Sequence, residues 1–191
     1  MSFVLKALLA VILGTALGLG ATQAAVHRGF LFGAVAAGPW IAFPTVGSPN
    51  VDPYARAVLA HTAYVPIGAD EGVAFSAVRD GDGRPLDGAC EYVLDSGELT
   101  ARFWTLGLYD RAGRTVANAA DRYNLTSQDV VRLDHHIAIA VASSVQPGNW
   151  LPAPSRGPFV LVLSLYESSG GTAANAVTET TLPTIRRGAC S

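Results

Sequence analysis

What most constrains this chain is a succession of short apolar stretches from Gly72 onward, cut at intervals by Gly- and Asp-rich turns. Successive side chains of a strand point to opposite faces, so alternating stretches of this length mark half-buried strands. Val73–Val78 runs into Arg79-Asp-Gly-Asp-Gly83, a hairpin-type turn signal. Ala89–Leu94 and Leu99–Tyr109 are predicted strands parted by Asp95-Ser-Gly97, and Asp110-Arg-Ala-Gly113 is a further turn. Ile137–Val141 and Phe159–Tyr166 are near-continuous apolar strands expected at the centre of the fold. After a loose loop over 170–176, Leu182–Ile185 closes the pattern. One short helix precedes the strands, with Asp52 as N-cap, Pro53 at the first helical position, no breaker from Tyr54 to Ala63, and Pro66 and Gly68 as its end. The expectation is a mainly β fold, a jelly-roll-like antiparallel β-sandwich, rather than βαβ units.

The N-terminus reads differently. Lys6 is followed by an uncharged apolar run from Ala7 to Ala25. At helical rise, about 19 residues cover about 28 Å, close to the hydrocarbon thickness of a bilayer. Gly14-Thr-Ala-Leu-Gly18 is a G-x-x-x-G pattern, read as small-residue filler rather than a helix-pairing face. The rival to a membrane anchor is a cleaved signal peptide; Thr22-Gln-Ala-Ala25 is a poor cleavage site and the run is long for a signal, which favours the anchor. Lys6 and the free amine orient the N-terminus toward the cytoplasm, against the weaker opposing vote of His27 and Arg28. The rest of the chain is then extracytoplasmic, which implies an inner (cytoplasmic) membrane protein with a single span and a periplasmic C-terminal domain. The predicted organisation is a membrane anchor over 1–28, an apolar Gly/Pro connector over 29–50 and the β-sandwich over 51–191. Phe30, Phe32 and Trp40 of the connector suit a membrane interface, and Trp40 equally suits the start of the folded domain.

Net charge is −2 and charged residues are 15% of the chain, so there is no basic excess to bind nucleic acid. Cys90, in a predicted strand, and Cys190, next to the last residue, are the two cysteines. In an oxidising compartment they are expected to pair, closing a loop whose constraint is worth about 4–5 kcal/mol in the chain-entropy model; the other reading is two free buried thiols.

Several pieces carry a resemblance: Gly83-Arg-Pro-Leu-Asp-Gly88, Arg102-Phe-Trp-Thr-Leu-Gly-Leu-Tyr-Asp110, Arg122-Tyr123, Pro147-Gly-Asn-Trp-Leu-Pro-Ala-Pro154 and Gly157-Pro-Phe-Val-Leu-Val-Leu-Ser-Leu-Tyr166. In these the chain resembles the DUF1214 family over roughly residues 40–190. The resemblance implies a jelly-roll-like sandwich, in the compact membrane-anchored subtype that lacks the upstream DUF1254 domain and tends to have cysteines placed like Cys90 and Cys190. The family often has a basic residue where Ser164 stands and a serine where Asn124 stands, and any ligand site that used the basic residue is in doubt here. The family supplies no activity, and a fold alone does not create one.

Residues able to carry chemistry are few. Arg102 and Trp104 share one face of the predicted strand with Leu106 and Leu108, and a buried Arg102 would need a carboxylate or carbonyl partner. Arg102 reads first as a structural ion pair, and Asn149-Trp-Leu-Pro152 first as a stiff lid loop after a Pro-Gly turn. The alternative joins Arg102, Trp104, Tyr123, Asn149 and Trp150 into a ligand cleft. His135 and His136 are adjacent and point apart on a strand; with no zinc-type spacing or G-x-S-x-G elbow, no metal, cofactor or catalytic residue is predicted. Asp80, Asp82 and Asp87 read as a solvated hairpin rather than a calcium loop, since no glutamate stands at the twelfth position. The functional expectation is a membrane-anchored extracytoplasmic binding or accessory domain partnered by another envelope or membrane protein; the alternative is a small-molecule-binding or hydrolytic domain.

Overall fold

The computed structural model describes residues 3–27, 33–62, 66–99, 101–166 and 182–191. Phe30, Phe32 and the loop over 170–176 lie outside the described residues. Helix α1 (Phe3–His27) carries the apolar run. The most apolar stretch of its segment Phe3–Val26 has a mean hydropathy of 2.1 and is exposed throughout. It is long and apolar enough to cross a membrane, a property that an N-terminal signal sequence shares. Helix α2 (Pro53–Thr62) starts as its sequence dictates: Asp52 Oδ1 accepts the amides of Tyr54 and Ala55, both at 3.0 Å.

Among the described residues ten strands follow one another as β1 (Val35–Ala37), β2 (Trp40–Ala42), β3 (Gly72–Ala77), β4 (Cys90–Ser96), β5 (Phe103–Tyr109), β6 (Asn124–Thr126), β7 (Ile137–Ala142), β8 (Asn149–Pro152), β9 (Val160–Tyr166) and β10 (Thr184–Cys190). They form a six-stranded sheet in the order β1-β2-β3-β9-β5-β6 and a four-stranded sheet in the order β10-β4-β7-β8. This is the expected sandwich, with both apolar strands central. Pairing is antiparallel except between β7 and β8, which run parallel. Part of the apolar segment read as a connector forms β1 and β2, and β2 pairs with β3 of the large sheet. Trp40 is fully buried in the core rather than at a membrane interface.

The interior follows from registers that put leucines opposite leucines. Across β5 and β9, Trp104 faces Leu165, Leu106 faces Leu163 and Leu108 faces Leu161, all inward. Tyr92, Leu94, Ile139, Val141, Leu151 and Ile185 answer from the small sheet. Tyr92 meets Phe159 edge to face, ring centroids 5.7 Å apart, and its hydroxyl accepts the Asp87 amide at 2.9 Å. β10 ties the two layers together. Just before it, the Pro183 carbonyl accepts the Trp40 indole N–H at 2.7 Å. Within it, Arg187 Nε donates to Asp80 Oδ2 at 2.8 Å, and the guanidinium sits 5.4 Å from the Tyr92 ring centroid. At its end Cys190 pairs directly opposite Cys90 and is disulfide-bonded to it across 100 residues.

The Asp80 turn departs from its sequence reading. Asp80 is not solvated: 2% of its surface is exposed. Its other oxygen accepts the amides of Asp82 (3.1 Å) and Arg84 (2.8 Å), which shapes the turn. The driving force is the ion pair from β10, since a buried carboxylate needs a partner.

Two outcomes are expected. Replacing Cys90 and Cys190 by serine lowers unfolding free energy by about 2–5 kcal/mol; denaturation midpoints that do not respond to reductant in the parent chain would contradict this. Arg187→Met leaves the Asp80 carboxylate buried alone and costs about 3–5 kcal/mol. Adding Asp80→Asn recovers much of that loss, as a double-mutant cycle on the same denaturation curves reads directly.

Candidate functional site

The outer face of the six-stranded sheet is not the polar surface of an ordinary antiparallel sheet. Ala74 and Ser76 of β3 and Val162 of β9 point outward beside Ile41 of β2. Helix α2 and the segment over 43–48 roof this face without filling it. Between roof and sheet lies a cleft of about 680 Å³, within the range of small-molecule sites. Phe43, Val46, Val58, Leu59 and Ile67 form its walls. The roof is held by a close crossing: Gly47 has φ +99°, and a side chain there would run into the Ile67 carbonyl, so only glycine fits. Helix α2 also touches α1, whose Ala24, Ala25 and Val26 are half-buried, so the cleft roof adjoins the end of the apolar helix.

Charge reaches the cleft at one point. The turn after β5 contributes Arg111, Ala112 and Gly113 to the rim. Its acid, Asp110, is engaged elsewhere: Oδ1 accepts the amides of Ala112 (2.8 Å) and Arg114 (2.9 Å), and Oδ2 accepts Arg114 Nε at 2.9 Å. These bonds, led by the one from the Arg114 amide, hold the Asp110 carboxyl below its ordinary pKa. Arg111 is exposed and has no ion-pair or hydrogen-bond partner among the described residues. The one hydroxyl among the described lining residues, Ser76, donates to the Ile41 carbonyl at 3.2 Å.

The residues singled out from sequence lie elsewhere, and the described cavities do not bring the five together. Arg102 is exposed and precedes β5, which starts at Phe103 rather than Leu99. Trp104 is buried between the sheets and faces a narrow internal gap with Leu94, Leu99 and Ile137. Asn149 and Trp150 are not in a lid loop but in β8, bound parallel to β7. The Asn149 amide clasps the neighbouring segment: Oδ1 accepts the Val131 N–H at 2.7 Å, and Nδ2 donates to the carbonyls of Val131 (2.8 Å) and Ala138 (3.0 Å). Trp150 lines a second hollow of about 370 Å³ with Ala117–Ala120 and Pro152–Ser155. Arg122 covers it, donating to the Trp150 carbonyl at 3.0 Å with its guanidinium 6.0 Å from the ring centroid. Beside it, Tyr123 is hydrogen-bonded to Asp121, which raises the phenol pKa above its ordinary value and keeps the proton on.

Ser164, where the resemblance places a basic residue in other chains, is buried on β9 between Ala74 and Thr105, on the cleft's own face of the sheet. Asp134 and His135 both have positive φ (48° and 62°) and form a two-residue turn closed by Leu133 and His136, not a strand. His136 Nδ1 lies 3.1 Å from Asp95, which also pairs with Arg186, while Ser144 bonds Glu91. Among the described residues, no group of three or more His, Cys, Asp or Glu is placed to hold a metal ion.

A family model described as a protein of unknown function, DUF1214, matches residues 71–170. No curated protein matches the chain. Among solved structures the chain is similar to the VPA0106 protein of Vibrio parahaemolyticus, at 14% identity and a TM-score of 0.64, a likeness of fold alone. It is matched over 99% of its own length but spans only 47% of that protein. A weaker likeness, to an uncharacterized protein from Burkholderia cenocepacia, has 17% identity and a TM-score of 0.42 over 66% of this chain and 32% of the other.

Because three hydrogen bonds converge on one amide, Asn149→Ala is expected to cost about 1–3 kcal/mol by leaving Val131 and Ala138 groups unpaired; hydrogen exchange at Val131 should accelerate with it, and an unchanged rate would refute the clasp.

Proposed function

The chain belongs to the DUF1214 family of proteins of unknown function, and we propose that it works by binding rather than by turnover, as a membrane-anchored extracytoplasmic domain whose binding site is the cleft under α2. The observation that carries this is the apolar cleft of about 680 Å³ roofed by the helix that touches α1. An apolar concavity of that size with a single charged group at its rim suits a ligand site. The proposed arrangement puts α1 across the inner membrane and the sandwich on the periplasmic side, where a disulfide such as Cys90–Cys190 persists.

A second reading has the domain as an accessory subunit of an envelope or membrane protein. Exposed Val131 and Leu133, 61% and 74% accessible beside the Asn149 clasp, favour it as an apolar contact for a partner.

One preparation separates the two readings. The full chain is extracted from membranes in mild detergent and analysed by intact mass and lipid extraction. The binding reading expects α1 retained and a small apolar molecule co-purifying, lost when Ala74→Trp fills the cleft. A stoichiometric protein partner that survives Ala74→Trp and leaves with Leu133→Asp selects the accessory reading. A chain cleaved after α1 removes the anchor from both.

A further inference from the structure

Resting on the reading of the cleft as the binding site, we propose that its ligand is a single acyl chain ending in a carboxylate, a free fatty acid taken from the adjoining membrane leaflet, with Arg111 holding the carboxylate at the rim. The chemistry of the lining selects this class. The floor and walls offer side chains of Ile, Val, Leu, Phe, Pro and Ala, and the one hydroxyl among the described lining residues, Ser76, is already spent on the Ile41 carbonyl. A peptide laid in the cleft would bring many backbone N–H and C=O groups against walls whose described side chains, Arg111 and Ser76 aside, offer no partner for them, at a cost for each unmade bond. A sugar or nucleotide meets the same objection. A hydrocarbon chain carries no such groups, and its burial is favourable in proportion to the apolar area covered.

Size and charge narrow the class further. About 680 Å³ accommodates one acyl chain and not the two chains and headgroup of a phospholipid. Among the described residues the only charged side chain in the lining is the Arg111 guanidinium. The acid next to it in sequence, Asp110, is committed to Arg114 and to its own turn, so Arg111 is left to pair with an external anion. A guanidinium binds a carboxylate through two parallel hydrogen bonds, stronger than neutral ones. The source follows from position: the roof helix α2 is in contact with α1, so a ligand leaving the bilayer beside α1 meets the cleft first.

The test uses the full chain in lipid nanodiscs, with a diazirine-bearing palmitate as probe, photolysis and peptide mapping. The expected result is labelling of the peptides that contain Val58–Leu59 and Val162, abolished by excess unlabelled palmitate. Ala74→Trp, checked for an unchanged unfolding midpoint, should remove the same adducts. Competition in the parent chain needs no variant and decides the matter if Ala74→Trp fails to fold. Arg111→Ala, or replacing the probe by the matching diazirine alcohol, should weaken occupancy about tenfold, the loss of one charge-assisted hydrogen-bonded contact. Equal labelling by acid and alcohol, unaffected by Arg111→Ala, overturns the carboxylate assignment while leaving the cleft as an apolar site. Absence of cleft adducts, or adducts that palmitate does not compete, overturns the cleft reading itself.

Discussion

The pairing of Arg187 with the buried carboxylate of Asp80 organises this molecule more than any other single contact. β10 is an edge of the small sheet, paired among the described strands with β4 alone, and its Ile185 carbonyl also accepts the Gly81 amide at 2.8 Å. An edge strand with one neighbour frays unless side chains hold it. Arg187 supplies that hold, and in doing so fixes the turn over 80–84 that links to the large sheet. With β10 seated, the Pro183 carbonyl is in place for the Trp40 indole, and Cys190 comes opposite Cys90. Charge, hydrogen bond and covalent bond thus secure the same strand at its middle, its entry and its end.

That closure explains why the sandwich can afford an incomplete outer surface. The inner faces are sealed by the β5–β9 leucine ladder and its answer from β4 and β7, where packing leaves little room. The outer face of the large sheet is different in kind. Gly107 lies under the Tyr109 ring, close enough that a Cβ would clash, so the ring can lie flat along the strand. Around it the outward positions are small or short: Thr105, Ser164, Ala74 and Ser76. Small side chains on a sheet face leave depth above it, and a helix set over such a face encloses space rather than filling it.

The fold was legible wherever one local signal agreed with its tertiary setting. The helix cap at Asp52, the inward face of Trp104, Leu106 and Leu108, and the central strands β7 and β9 follow from spacing alone. β8 is not legible: Pro152 at its end, Pro154 just beyond and the Pro147-Gly148 entry argue for a loop, and what makes it a strand is a parallel partner, β7, that no local pattern encodes. β1 and β2 read as connector because three-residue strands show no period. The acidic turn reads as solvated for a similar reason. Asp80 is separated from Arg187 by 107 positions, and nothing near either residue announces the other. The candidate site suffered most, since its walls come from β2, β3, β9, α2 and the turn after β5, each contributing residues that look unremarkable in sequence.

The cleft and the apolar helix α1 are then parts of one arrangement. Burial of α2 uses only one face of a short helix, with Ala55 and Val58 turned in and Tyr54 exposed. A helix of this length is marginal by itself and depends on what it packs against. It packs against α1 on one side and over the cleft on the other. Apolar space beneath such a helix is a stability deficit that either collapse or an occupant must relieve. Collapse is opposed by the Gly47 crossing, where the roof segment already lies so close to the Ile67 carbonyl that no side chain fits between them. An occupant therefore adds packing that the described residues do not provide, and the element it would steady most is α2, which adjoins the apolar helix α1.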